Sequence, residues 1–125
     1  MLTINHGEAL SRALSSPLDR RLKELLTERI RQLDVEDLST AARFVIVEPG
    51  DTLNALETEL GFAISDDPEV GFGCEWVEDH GHCHELVFIL TDDGFAHVAF
   101  VPRQPDIDAA LLSLCALFAS EQTIG

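Results

Sequence analysis

The sequence predicts an α+β fold: N-terminal helices, a mostly antiparallel sheet of about four strands with a three-stranded meander over 74–101, and a C-terminal helix packed on the sheet. Three observations carry this expectation. Residues 17–33 set Leu18, Leu22, Leu25, Leu26, Ile30 and Leu33 on one stripe of 3.6 period. Residues 74–79, 82–92 and 95–101 form three strand-like runs divided by His80-Gly81 and Asp93-Gly94, and Asp-Gly favours the positive φ that a tight hairpin loop needs. From Ala109 to Ala119 only Ser113 is polar, so the last helix is apolar nearly all round and belongs in a core or an interface.

The elements follow in order. Leu2 to Leu14 carries Leu10, Ala13 and Leu14 at helical spacing and reads as a weak, loosely packed helical segment over 1–16. Ser16 suits a helix cap and Pro17 the first helical position, which starts the 17–33 helix. Residues 34–42 are a connector. Arg43 to Glu48 is an apolar strand that Pro49-Gly50 ends. Asp51 or Thr52 caps a helix through Leu60, and Gly61 suits a left-handed stop. Residues 64–73 are dense in Asp, Pro and Gly and read as a loop. After the meander, Asp106 or Asp108 caps the helix over 106–120. At 125 residues the chain is long enough for a single domain, 1–125, with its own core.

The charge is uneven. The net charge is -15, from 23 acidic and 8 basic side chains. Residues 1–33 hold six of the basic groups, whereas Phe44 to Pro102 holds 13 acids and no Lys or Arg. A basic nucleic-acid binder is therefore not expected. Without an apolar run near 18 residues, neither is a membrane-spanning helix. The three cysteines and the lack of a secretory pattern point to the cytoplasm. An acidic body keeps a small protein soluble. It also suits docking on a basic protein, or mimicry of phosphate charge.

Two-residue loops at both turns would pair Asp79 with His82, Glu78 with Cys83 and Leu86 with Val101. One sheet face then holds Val77, Leu86, Phe88, Ala99 and Val101, and the other Trp76, Val87, Ile89, Val98 and Phe100. Both are apolar, so both need cover, from helices or from a second subunit. Within the hairpin, His82 and His84 share a face about 6.8 Å apart. With Asp79 they form a candidate site for zinc or another transition metal. Nearby carboxylates should raise the histidine pKa values. Cys83 projects to the other face. Cys74 shares that face in this register, about 13 Å along the strand and beyond disulfide reach. His97, alone in an apolar strand, reads as a hydrogen-bonded core residue. Trp76, Glu78, Asp79 and Glu85 are the candidate binding residues.

The stretch Val45 to Phe62 resembles the opening of LysM carbohydrate-binding modules, through Gly50, Asp51, Thr52, Leu53 and Gly61. The resemblance implies a groove for N-acetylglucosamine polymers at the Gly-Asp-Thr loop. It covers less than a fifth of the chain and breaks down after Phe62, where the family's second helix and closing strand are missing. The sequence has no GxSxG, dinucleotide or phosphate-loop motif. The expectation is a non-catalytic accessory or regulatory interaction module that needs no cofactor. A homodimer with a basic protein partner is expected, with no direct contact to membrane or nucleic acid. The alternative is a small metal-binding protein or metalloenzyme.

Overall fold

A computed structural model describes residues 1–32, 42–65, 73–89 and 95–115. Among these the fold is α+β, with four helices beside a five-stranded, mostly antiparallel sheet. The predicted stretches at 34–41, 66–72, 90–94 and 116–120 lie outside the described residues.

The N-terminal segment is not one weak helix. Leu2–Ile4 is a strand, β1, and Gly7–Ser15 is a helix, α1. Leu-Thr-Ile is a β-favouring run, and it finds a partner strand far along the chain. His6 supplies the cap of α1, its Nδ1 accepting from Ala9 N–H at 3.1 Å. Ser16 does not start the next helix. It precedes Pro17, which disfavours helical backbone at that position, and it is extended and closes α1 by donating to Ala13 O. The next helix, α2, spans Arg20–Arg31 and is capped by Asp19, whose Oδ1 accepts from Arg21 N–H at 2.8 Å.

Ala42–Ile46 forms β2 and Leu53–Leu60 forms α3. Thr52 caps α3, and Gly61 ends it at φ +88°. Trp76–Asp79, Cys83–Ile89 and Ala96–Pro102 are β3, β4 and β5, and Pro105–Leu114 is α4. Gln104 occupies the cap position of α4 without a side-chain cap, and Pro105 begins the helix. Asp106 and Asp108 fall in its first turn, where they favour the positive end of the helix.

The strand order is β1-β2-β5-β4-β3. The β2–β5 pair is parallel and the others antiparallel. Each face is covered by the chain's own helices. Against α1 and α2 lie Ile4, Phe44, Ile46, Cys83, Val98 and Phe100, the two rings stacked at 6.0 Å. Against α3 and α4 lie Val45, Val47, Leu86, Phe88, Ala99 and Val101. Removing this apolar surface from water is the main force that closes the two layers.

The meander forms with a register other than the one expected. His80 N–H donates to Cys83 O at 3.0 Å, so the two-residue loop is Gly81-His82 rather than His80-Gly81. Gly81 then takes the first loop position at φ +88°, where a side chain would be strained. Asp79 faces His84, and Glu78 faces Glu85. In the next pair Leu86 faces Ala99 and Phe88 faces His97. Both slips are of two residues. A one-residue slip would invert the faces, whereas two leave every side chain on its expected side.

At the entry to β3 the strand does lose one residue of register. Glu75 N–H donates to Val87 O at 2.8 Å, although Trp76 is the residue that faces Val87. Two residues opposite one is the arrangement of a β-bulge. It turns Cys74 to the α3/α4 core, away from Cys83 on the α1/α2 side. The expected shared face for the two thiols is therefore not what forms.

Candidate functional site

The first cluster starts from two residues that break the pattern around them. Glu85 is the only carboxylate in the apolar run of β4, yet it is 3% exposed. Arg29 continues the inward spacing of Leu22 and Leu26 on α2. The two meet. Arg29 Nε donates to Glu85 Oε2 at 2.8 Å, and its Nη2 donates to Glu85 Oε1 at 2.7 Å. The same Nη2 reaches Glu78 Oε2 at 3.2 Å. His80 Nε2 lies 2.9 Å from Glu85 Oε1. Burial by itself would raise the Glu85 carboxyl, but the Arg29 fork and the His80 ring hold it below its ordinary value.

Around this ion pair is an open groove of about 500 Å³ at the edge of the sheet. Arg29 and Gln32 of α2, Trp76 and Glu78 of β3, and Glu85, Val87 and Ile89 of β4 line it. Trp76 is 58% exposed and Ile89 39%. Three of the four expected binding residues, Trp76, Glu78 and Glu85, thus share one wall. The fourth, Asp79, alternates to the opposite face, where Arg103 Nη2 donates to its Oδ2 at 2.7 Å.

The ligand atoms of the expected metal set do not gather within 4.8 Å of one another. Asp79 is held by Arg103. His82 sits in the loop, its Nδ1 3.3 Å from His80 O. His84 is fully buried on the α3/α4 side, with Arg103 Nε donating to its Nε2 at 3.5 Å and Asp108 Oδ1 3.7 Å away. The pairing of Asp79 with His84 instead of His82 follows from the Gly81-His82 loop. Among the described residues the ligand atoms that gather within 4.8 Å are those of Glu78, His80 and Glu85. Arg29 already holds both of these carboxylates, with a bidentate fork on Glu85 and one bond to Glu78, so a divalent cation would have to displace its guanidinium; one cation against two carboxylates leaves the cluster net negative.

The expected upward shift at the histidines reverses at His84. Burial pushes its pKa down; Asp108 opposes this and Arg103 adds to it. Burial also pushes the Cys83 thiol up to about 11, assisted by Glu85, Asp19 and Asp79. A thiol of that kind is protonated and inert at neutral pH. His97 is the core residue the sequence suggests. Its Nδ1 accepts from Arg43 Nε at 2.9 Å, and Phe62 meets its ring edge-on at 5.3 Å.

These shifts set an acid response. His84 is neutral in the fold, and unfolded chain takes up its proton below the ordinary 6.5. Stability from His84 is therefore complete above pH 6.5 and falls as pH drops toward the depressed value. Glu85 acts the same way below its ordinary 4.5. Urea midpoints should decline in two steps, the first starting near pH 6.5 and the second near 4.5. The variant His84→Gln should lose only the first step. A midpoint flat from pH 7 to 4.5 would refute the His84 account.

No family model matches the chain, and no curated protein or solved structure matches it either. The likeness of 45–62 to LysM modules is thus confined to a strand, a turn and a Thr52-capped helix. Among the described residues no helix is long and apolar enough to cross a membrane.

Arg29 and His80 are the participants that the sequence reading passes over. In the sequence Arg29 is one of the six basic groups of 1–33, and His80 is a turn residue. A signal exists for the first: an Arg at the spacing of Leu22 and Leu26, and a Glu inside an apolar strand, are each unfavourable without the other.

Proposed function

We propose that the protein is a non-catalytic accessory or regulatory module that docks a basic segment of a partner protein in the groove beside Trp76. The observation that carries this reading is the 58% exposure of Trp76 on the strand that forms the sheet edge among the described residues, next to Glu78. An indole face flanked by a carboxylate suits a Lys or Arg side chain. Cation–π contact contributes about 0.5–2 kcal/mol, depending on how far the pair is desolvated. Ile89 and Val87 supply apolar area for the stem of the same side chain. The net charge of -15 steers a basic partner toward the surface.

Catalysis finds less support. Cys83 is an inert thiol, and its neighbour His84 projects into the other core. The metal reading keeps three ligand atoms in reach, at Glu78, His80 and Glu85, but an ion there competes with Arg29 for both carboxylates.

Trp76 is the one tryptophan in the chain and there is no tyrosine, so its emission reports on the groove. The test is a titration with a capped nine-residue peptide alternating lysine and valine. The expected result is a saturable change in Trp76 emission that weakens several-fold between 50 and 300 mM salt, as screening predicts. Unchanged emission at millimolar peptide in low salt would overturn the proposal.

A further inference from the structure

The groove runs along β3, and β3 is the edge of the sheet among the described residues, with β4 as its neighbour on one side only. The register decides which backbone groups that edge presents. His80 and Cys83 are a hydrogen-bonded pair closing the hairpin. In an antiparallel ladder such pairs alternate with non-hydrogen-bonded ones. Glu78↔Glu85 and Trp76↔Val87 are then hydrogen-bonded pairs, and their N–H and C=O groups point at β4. Val77 and Asp79 hold the intervening positions. Their N–H and C=O groups point away from the sheet, two residues apart, as the next strand of a ladder would require.

Edges of this kind are usually blunted with Lys or Pro. β3 has neither. Its guards are the bulge at its start and the acids Glu75, Glu78 and Asp79. Glu78 and Asp79 each already hold a guanidinium, of Arg29 and Arg103, but with Glu75 and Glu85 the edge has four carboxylates to two Arg, and that excess selects the occupant. A second copy of the chain would bring the same carboxylates against themselves, because a two-fold interface is self-complementary. An extended basic strand meets them favourably.

We propose that the partner segment binds by strand addition to β3, in extended conformation, with basic and apolar residues in alternation. This deepens the docking reading above and rests on it. The pleat sets the pattern. Side chains on one face of the added strand meet Trp76 and Glu78, which favours Lys or Arg. Those on the other face lie beside Val77, which packs against the α3/α4 core, and this favours Val or Ile. Main-chain bonds give affinity and alternate side chains give selectivity, as in other strand-addition complexes.

The experiment compares the lysine–valine peptide with two versions of it, N-methylated at every second amide, one on the valines and one on the lysines. An added strand turns only one alternate set of amides toward β3. Methylation of that set should weaken binding at least tenfold, and methylation of the other should leave it within about threefold. The Val77 and Asp79 amide protons should exchange more slowly when the unmodified peptide is bound. If both methylated peptides bind like the parent, or both lose equally, strand addition is wrong while the docking groove stands. If the parent itself does not bind, both proposals fail.

Discussion

Arg29→Ala will cost roughly 3–5 kcal/mol of folding stability, the scale for removing one partner of a buried ion pair. The reason is the residue left behind. Glu85 is 3% exposed and takes both of its short guanidinium bonds from Arg29. Without them its carboxylate keeps His80 nearby but loses its charge partner. Burial, which Arg29 now overrides, would then dominate and raise the Glu85 pKa. The sign of the pH dependence at this group therefore reverses. In the native chain Glu85 contributes stability above its ordinary 4.5 and loses it in acid. In the variant the carboxyl must be protonated to stay folded, and stability falls as pH rises. Urea denaturation at pH 4.5 and 7.5 measures both effects. The paired variant Arg29→Met with Glu85→Leu should recover most of the loss, because apolar replacement of both partners is often neutral. A loss under 1 kcal/mol for Arg29→Ala would mean that the pair is not buried as described.

Trp76→Ala is expected to act on binding and hardly at all on the fold. Its ring is 58% exposed, so its removal should change stability by no more than about 0.5 kcal/mol. Tryptophan at the centre of an interface typically carries about 2 kcal/mol or more, a loss of roughly thirtyfold. Calorimetry with the lysine–valine peptide measures this without relying on the indole. Leu112→Ala is the control. Leu112 is also exposed, at 44%, but on α4, the helix that covers the other face of the sheet. Its loss should leave peptide affinity unchanged. Equal effects from both substitutions would point to diffuse electrostatic attraction rather than to the groove.

The parts of the fold that were legible in the sequence are those with local causes. The 3.6 period of Leu22 and Leu26, the Thr52 cap and the Gly61 stop each depend on a few neighbouring residues. The two-sided apolar character of the meander correctly required cover on both faces. β1 was missed because Leu2–Ile4 is too short to show a period. It is a strand through its pairing with β2, 40 to 44 residues away. The parallel β2–β5 pair has the same kind of cause. The hairpin register has a local cause as well: a Gly81-His82 loop asks for positive φ at its first position, which is glycine, whereas a His80-Gly81 loop asks it of His80.

The site divides along the same line. Trp76, Glu78 and Glu85 could be grouped because strand alternation puts them on one face. Arg29 lies 56 residues from Glu85 in the chain, and no local pattern joins them. The metal set failed through register. A two-residue shift put Asp79 opposite His84, where Arg103 bonds both, and left His82 in the loop.

The most direct measurement of the central claim is a backbone amide shift map of the native chain, recorded as the lysine–valine peptide is added in low salt. A compact set of perturbed amides is expected at 75–80 and 85–89, with Arg29 and Gln32, and little change along α4. Perturbations spread evenly over the acidic surface, or centred on α4, would contradict it.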